Sequence, residues 1–111
     1  MQIKKEIKKD AYGVRISAEE DGKEVGVVYL YIIYNSVHKE PCGFLEYVII
    51  DDAYQGKGIG TELVQEVIKE AKERGCYKLI ACSRAGKDKI HKWYEKLGFK
   101  NYGLEFRMDF K

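Results

Sequence analysis

"FLEYVIIDDAYQGKGIGTELVQEVIKEAKERGCYKLIACS", Phe44 to Ser83, changes its period twice. Phe44 to Ile50 is apolar and β-branched with one charge, Glu46, which reads as a strand. Ile59, Leu63, Val64, Val67, Ile68 and Ala71 then recur at helical spacing, opposite Lys69, Glu70, Lys72 and Glu73. Gly75 closes that helix. "YKLIACS" returns to strand, so the stretch is a β-α-β unit whose two strands lie parallel.

Upstream, Tyr12, Val14 and Ile16 alternate with polar residues, and Asp21-Gly22 is a hairpin-closing pair. "VGVVYLYIIY", Val25 to Tyr34, reads as a strand covered on both faces. Downstream, Ile90, Trp93, Tyr94 and Leu97 mark a second helix from about Lys87 to Leu97, stopped by Gly98. The tail "FKNYGLEFRMDFK" reads as one or two closing strands broken near Asn101 to Gly103. The whole is α+β, strand-rich first, with two main helices.

The chain has 111 residues, 20 basic and 18 acidic. That length suits one domain over residues 1–111, burying roughly two-thirds of its unfolded surface. A net charge of +2 gives no pull toward nucleic acid or a membrane surface. No apolar run approaches the about 20 residues of a membrane-spanning helix. Cys42, Cys76 and Cys82 are odd in number and form no C-x-x-C pair, and the N-terminus lacks an apolar signal core. A cytoplasmic chain with free thiols is expected. His38 and Cys42 find no second pair to complete a metal site, so no metal is expected.

Gly56, Gly58 and Gly60 stand immediately before the first helix. Bare backbone at a helix N-terminus offers unsatisfied N–H groups and a positive dipole end, which suits a phosphate or pyrophosphate. A P-loop would need G-x-x-x-x-G-K-[ST], and none exists. A Rossmann fingerprint would place a small residue at Leu63 and an acid after the next strand, where Cys82-Ser83-Arg84 stands.

What remains is Q-x-x-G-x-G at Gln55, Gly58 and Gly60, followed downstream by "WYEKLGF", Trp93 to Phe99. This pair of motifs resembles the GNAT superfamily of acyl-CoA-dependent N-acetyltransferases. "LEYVIIDDAYQGKGIG", "RGCYKLI" and "WYEKLGFK" are most similar to its glucosamine-6-phosphate N-acetyltransferases, although this chain is shorter and the helical segment after their first strand is not found.

The resemblance implies a mixed, mostly antiparallel sheet with a β-α-β acyl-CoA-binding core, and acetyl-CoA as cosubstrate. It places the pantetheine arm along the backbone of Val48, Ile49 and Ile50. The pyrophosphate falls to the loop of Gln55, Gly56, Lys57, Gly58, Ile59, Gly60 and Thr61. Tyr94 matches the family's general acid. A phenol of ordinary pKa about 10 holds its proton at neutral pH and can give it to a thiolate. Glu46 is the candidate base, and a backbone N–H at Val48 or Ile49, freed by a bulge, the candidate oxyanion donor.

Among the other polar residues, Lys87, Lys89 and Lys92 read as solvated, with one available to a 3′-phosphate. His91 reads as a surface residue, and Cys82 as a small buried apolar one. The expected activity is acetyl transfer to a primary amine of a small molecule or peptide, by direct attack in a ternary complex. The alternative is a catalytically weak acyl-CoA-binding module. Exposed strand edges make a homodimer the expected assembly.

Overall fold

The computed structural model describes residues 1–111. Four strands, β1 (Ala11–Glu20), β2 (Lys23–Ile33), β3 (Cys42–Ile50) and β4 (Lys78–Ala81), form one sheet in the order β1-β2-β3-β4. The first three are antiparallel, and β4 runs parallel to β3. Helix α1 (Ile59–Glu73) makes the crossover between them, as the period change requires. Helix α2 (Asp88–Lys96) follows β4. No helix is long and apolar enough to cross a membrane.

The β1–β2 hairpin closes on Asp21 and Gly22, with φ of 51° and 78°. Both central residues have positive φ, as the type I′ turn requires, one of the two turns whose twist matches that of the strands. Val14 and Ile16 face inward as their alternation requires. The core lies between sheet and α1: Val28, Leu30 and Ile32 of β2 and Val64 and Val67 of α1 are fully buried, with Leu63 and Ala71 beside them.

Three expectations change. Only one face of β2 is fully covered, because the helix packed against it is α1; Tyr31 and Ile33, alternating with Leu30 and Ile32, are exposed. The strand read over Tyr77–Ser83 is confined to Lys78–Ala81, because its pairing with β3 stops there. The tail forms no strand: Phe99–Lys111 has no regular structure and everything from Asn101 onward is exposed. Alternation specifies a face but supplies no partner, and the tail has none within the chain.

Candidate active site

The parallel ladder between β3 and β4 ends at Leu45 opposite Ala81. Pairing of β3 with β2 continues to Ile50 opposite Gly26, with a register shift between Val27 and Tyr29. The extra residue is on β3, where Tyr47 adopts φ 51°, and the strand bends as a bulge requires. From Glu46 to Ile50, therefore, the side of β3 turned toward β4 carries no strand, and an opening begins where the two part. The bulge stands immediately before Val48 and Ile49.

The top of that opening meets the glycine loop. Asp52–Tyr54 forms one 3-10 turn, after which Gly56 and Gly58 have φ of 78° and 83°. A Cβ at either would meet nothing within 4 Å. Gly58 caps α1 with no side-chain hydrogen bond, which leaves the first-turn N–H groups to a ligand or water. Gly60 differs: a Cβ there would touch Trp93, Val48 and Ile50 at 3.8 to 3.9 Å.

Other predicted loop residues are engaged within the chain. The Gln55 side-chain amide donates to the Ile50 carbonyl (3.3 Å) and to Asp52 Oδ1 (3.2 Å), bracing the loop against β3. Lys57 holds its ammonium 5.0 Å from the Tyr54 ring centre. Trp93 Nε1 donates to Thr61 Oγ1 at 2.9 Å, tying α2 to the first turn of α1. Ile59 is buried in the core.

Tyr94 is half-buried on α2, with its ring 5.0 Å from Trp93 and edge-on to Phe99 at 5.3 Å. Burial raises its phenol above the ordinary value, and proximity to Cys82 adds to this. Cys82 is exposed, not buried as expected, because β4 ends one residue before it. Partial desolvation and the carboxylates of Glu105 and Glu46 raise its thiol.

Glu46 follows the last β3–β4 pair, Leu45 opposite Ala81, and Cys82 follows it on the other strand; the charges of Glu46 and of Glu105 in the tail reach Cys82, and that of Cys82 reaches Tyr94 of α2. Glu105 was not among the expected residues; the one signal for it was the alternation that placed it on a strand. His91, half-buried, binds the Arg84 carbonyl through Nε2 at 2.9 Å and pins the loop into α2. His38 lies against Tyr77, 4.2 Å between ring centres with the planes tilted by 32°.

An anion at the α1 N-terminus and an extended chain along the unpaired side of β3 both find donors here. An acyl-CoA has both parts, so the residues fit it. The acetyltransferase (GNAT) family pattern matches residues 2–99. Over 67 residues the chain is 36% identical to glucosamine 6-phosphate N-acetyltransferase of Trypanosoma brucei brucei, covering 60% of this chain and 44% of that enzyme. Over 95 residues it is 30% identical to aminoglycoside N(6')-acetyltransferase type 1 of Stenotrophomonas maltophilia, covering 82% and 62% respectively. The crystal structure of glucosamine-6-phosphate N-acetyltransferase from Arabidopsis thaliana superposes with a TM-score of 0.81 at 25% identity, over 89% of this chain and 67% of that one. The chain spans less than half the length of the trypanosomal relative.

Proposed function

Because the chain belongs to the acetyltransferase (GNAT) family, we propose that it transfers an acetyl group from acetyl-CoA to a primary amine by direct attack in a ternary complex. The observation that carries this reading is the opening between β3 and β4 at Leu45 and Ala81, with the uncapped start of α1 at its top. Bound acetyl-CoA supplies an activated thioester. The N–H groups from Gly56 to Thr61 hold its pyrophosphate, and the backbone of Val48 to Ile50 lines its pantetheine arm.

A backbone N–H at Val48 or Ile49 holds the carbonyl oxygen as it gains charge. Glu46 accepts the proton from the amine, directly or through water, and the amine nitrogen bonds the acetyl carbon as the C–S bond breaks. Tyr94 returns a proton to the departing sulfur. Its raised pKa keeps that proton in place until a thiolate forms. Residues 1–111 act as one catalytic unit in a homodimer, the bare outer side of β4 being the support for the dimer.

The relatives above are named for amino-sugar substrates, so glucosamine 6-phosphate and aminoglycosides lead the acceptor panel, followed by polyamines and peptides. Isothermal titration detects acetyl-CoA binding, and thiol release measures turnover. Tyr94→Phe and Glu46→Gln should each lower kcat by about a hundredfold while acetyl-CoA still binds. Absence of acetyl-CoA binding refutes the reading as a whole. Turnover unchanged in both variants refutes the assigned roles, and binding without turnover on any amine leaves an acyl-CoA-binding module.

A further inference from the structure

Helix α1 packs on one face of the sheet, and strand alternation sends a second set of side chains to the other. There Tyr29 stands opposite Arg15 and Glu46, and Tyr31 opposite Gly13 and Phe44. Gly13 is bare because Tyr31 leans over it: a Cβ there would stand 2.8 Å from Tyr31 Cε1. The Tyr29 ring lies within 7° of parallel to that of Tyr31, 6.3 Å between centres. Tyr31 is 41% exposed and Ile33, next along the same face, 36%. An open apolar stripe therefore runs along β2, and it begins beside Glu46, the proposed base.

Charge decides what the stripe can hold. The four strands carry three cations, Arg15, Lys23 and Lys78. Arg15 is taken by Glu24, whose two carboxylate oxygens each accept from it at 2.7 Å. Lys23 faces Asp51 at 3.6 Å. Lys78 pairs with Cys42, four residues before Glu46 and so about 13 Å from it along the strand, with its ammonium 5.2 Å from the Tyr77 ring centre. Glu46 is exposed and enters no ion pair, and its charge and that of Glu105 both reach Cys82. A sugar phosphate with its amine at Glu46 would thus find no free cation of the sheet within its own length. A linear polyamine fits instead: ammonium groups are attracted to aromatic faces and to carboxylates, methylenes cover apolar rings as lysine stems do, and a line of side chains matches a linear molecule.

We propose that the acceptor is a linear polyamine lying along Tyr29 and Tyr31 with one terminal nitrogen at Glu46. This rests on the acetyl-transfer reading and narrows its acceptor, away from the phosphorylated sugar for which several relatives are named. Of the two protons that the terminal ammonium gives up, one leaves through Glu46 and one is balanced by the proton delivered to the sulfur, as the nitrogen takes the acetyl group and CoA departs as the thiol.

Isothermal titration of spermidine into the full chain saturated with CoA reads acceptor binding without turnover, with glucosamine 6-phosphate titrated in parallel. Spermidine should bind at least roughly tenfold more tightly. Tyr31→Leu keeps apolar bulk but removes the π face and should weaken spermidine about fivefold, whereas Tyr31→Phe, which keeps the ring, should stay within about twofold of the parent. Tyr31→Lys should weaken spermidine and tighten glucosamine 6-phosphate, a crossed change that damaged folding does not produce. In thiol release with acetyl-CoA the same order should appear in KM with kcat little changed, because Tyr31 meets the acceptor away from the reacting atoms. Tighter binding of glucosamine 6-phosphate, or spermidine binding indifferent to Tyr31→Leu and Tyr31→Lys, overturns the polyamine assignment and leaves acetyl transfer standing. A dimer that Tyr31→Lys dissociates in sedimentation equilibrium while spermidine binding holds also overturns it, since the stripe is then a contact between copies. Failure to bind acetyl-CoA overturns acetyl transfer and the acceptor together.

Discussion

Replacing Gly58 and Gly60 by alanine should move stability in opposite directions, although the two stand two residues apart. Gly58 has φ 83°, a region that costs an L-residue about 1–2 kcal/mol. Alanine also stiffens the unfolded chain, which offsets about 0.5 kcal/mol, so Gly58→Ala should destabilise by about 1 kcal/mol. Gly60 lies inside α1, where alanine is favoured over glycine by up to about 1 kcal/mol. Its added methyl would meet Trp93, Val48 and Ile50 at 3.8 to 3.9 Å, ordinary contact, so Gly60→Ala should stabilise by about 0.5–1 kcal/mol. Urea denaturation with an unchanged m-value reads both, and thermal midpoints should separate by roughly 8 °C. Gly58→Asn should fall between Gly58→Ala and the parent, since asparagine tolerates the left-handed region. The reasoning is refuted if Gly60→Ala loses stability alongside Gly58→Ala, or if Gly58→Ala is neutral.

Two further outcomes follow from the site. Tyr94 is raised in the folded chain by burial and by Cys82, so the folded state holds its phenolic proton above pH 10 where the unfolded state releases it. The stability this gives is complete below about pH 10 and is lost as pH climbs through the folded value. Tyr94→Phe should therefore flatten the alkaline loss of stability and remove the latest phenolate step from the absorbance titration; an unchanged final step counts against the burial argument. Trp93 is the one tryptophan, and its indole N–H donates to Thr61 at the start of α1. Thr61→Ala should cost about 1 kcal/mol and shift the emission maximum, whereas identical spectra would mean that this hydrogen bond does not form in solution.

Elements whose determinants are local were legible from the sequence. The Asp21-Gly22 turn, the α1 stripe from Ile59 to Ala71 and the stops at Gly75 and Gly98 each depend on residues a few positions apart, and each appears where the pattern set it. The site was legible only through its motifs. Tyrosine has no preference for positive φ, so nothing in "LEYVII" announces the left-handed Tyr47 that bends β3. Because β4 depends on β3 for its length, the early end of β4 and the exposure of Cys82 were equally hidden. Glu105 was missed for a related reason: whether its charge reaches Cys82 depends on where α2 releases the chain. The tail's alternation was visible, but a strand is a relation between two segments, and one sequence names only half of it.

The short β3–β4 ladder bears on how the molecule assembles and breathes. β1 meets β2 across a two-residue turn, a contact nearly free of loop-closure entropy, whereas β3 and β4 meet only after the whole of α1 has been spanned. Pairings of such separation form late, and this one has a single four-residue register to hold it. The amides of Lys78 to Ala81 would accordingly exchange with solvent through a smaller opening than those of β2 beneath α1. Entry to the cleft and the first step of unfolding then lie along the same motion, so a ligand bridging β3 and β4 would act as a staple on the weakest seam of the sheet.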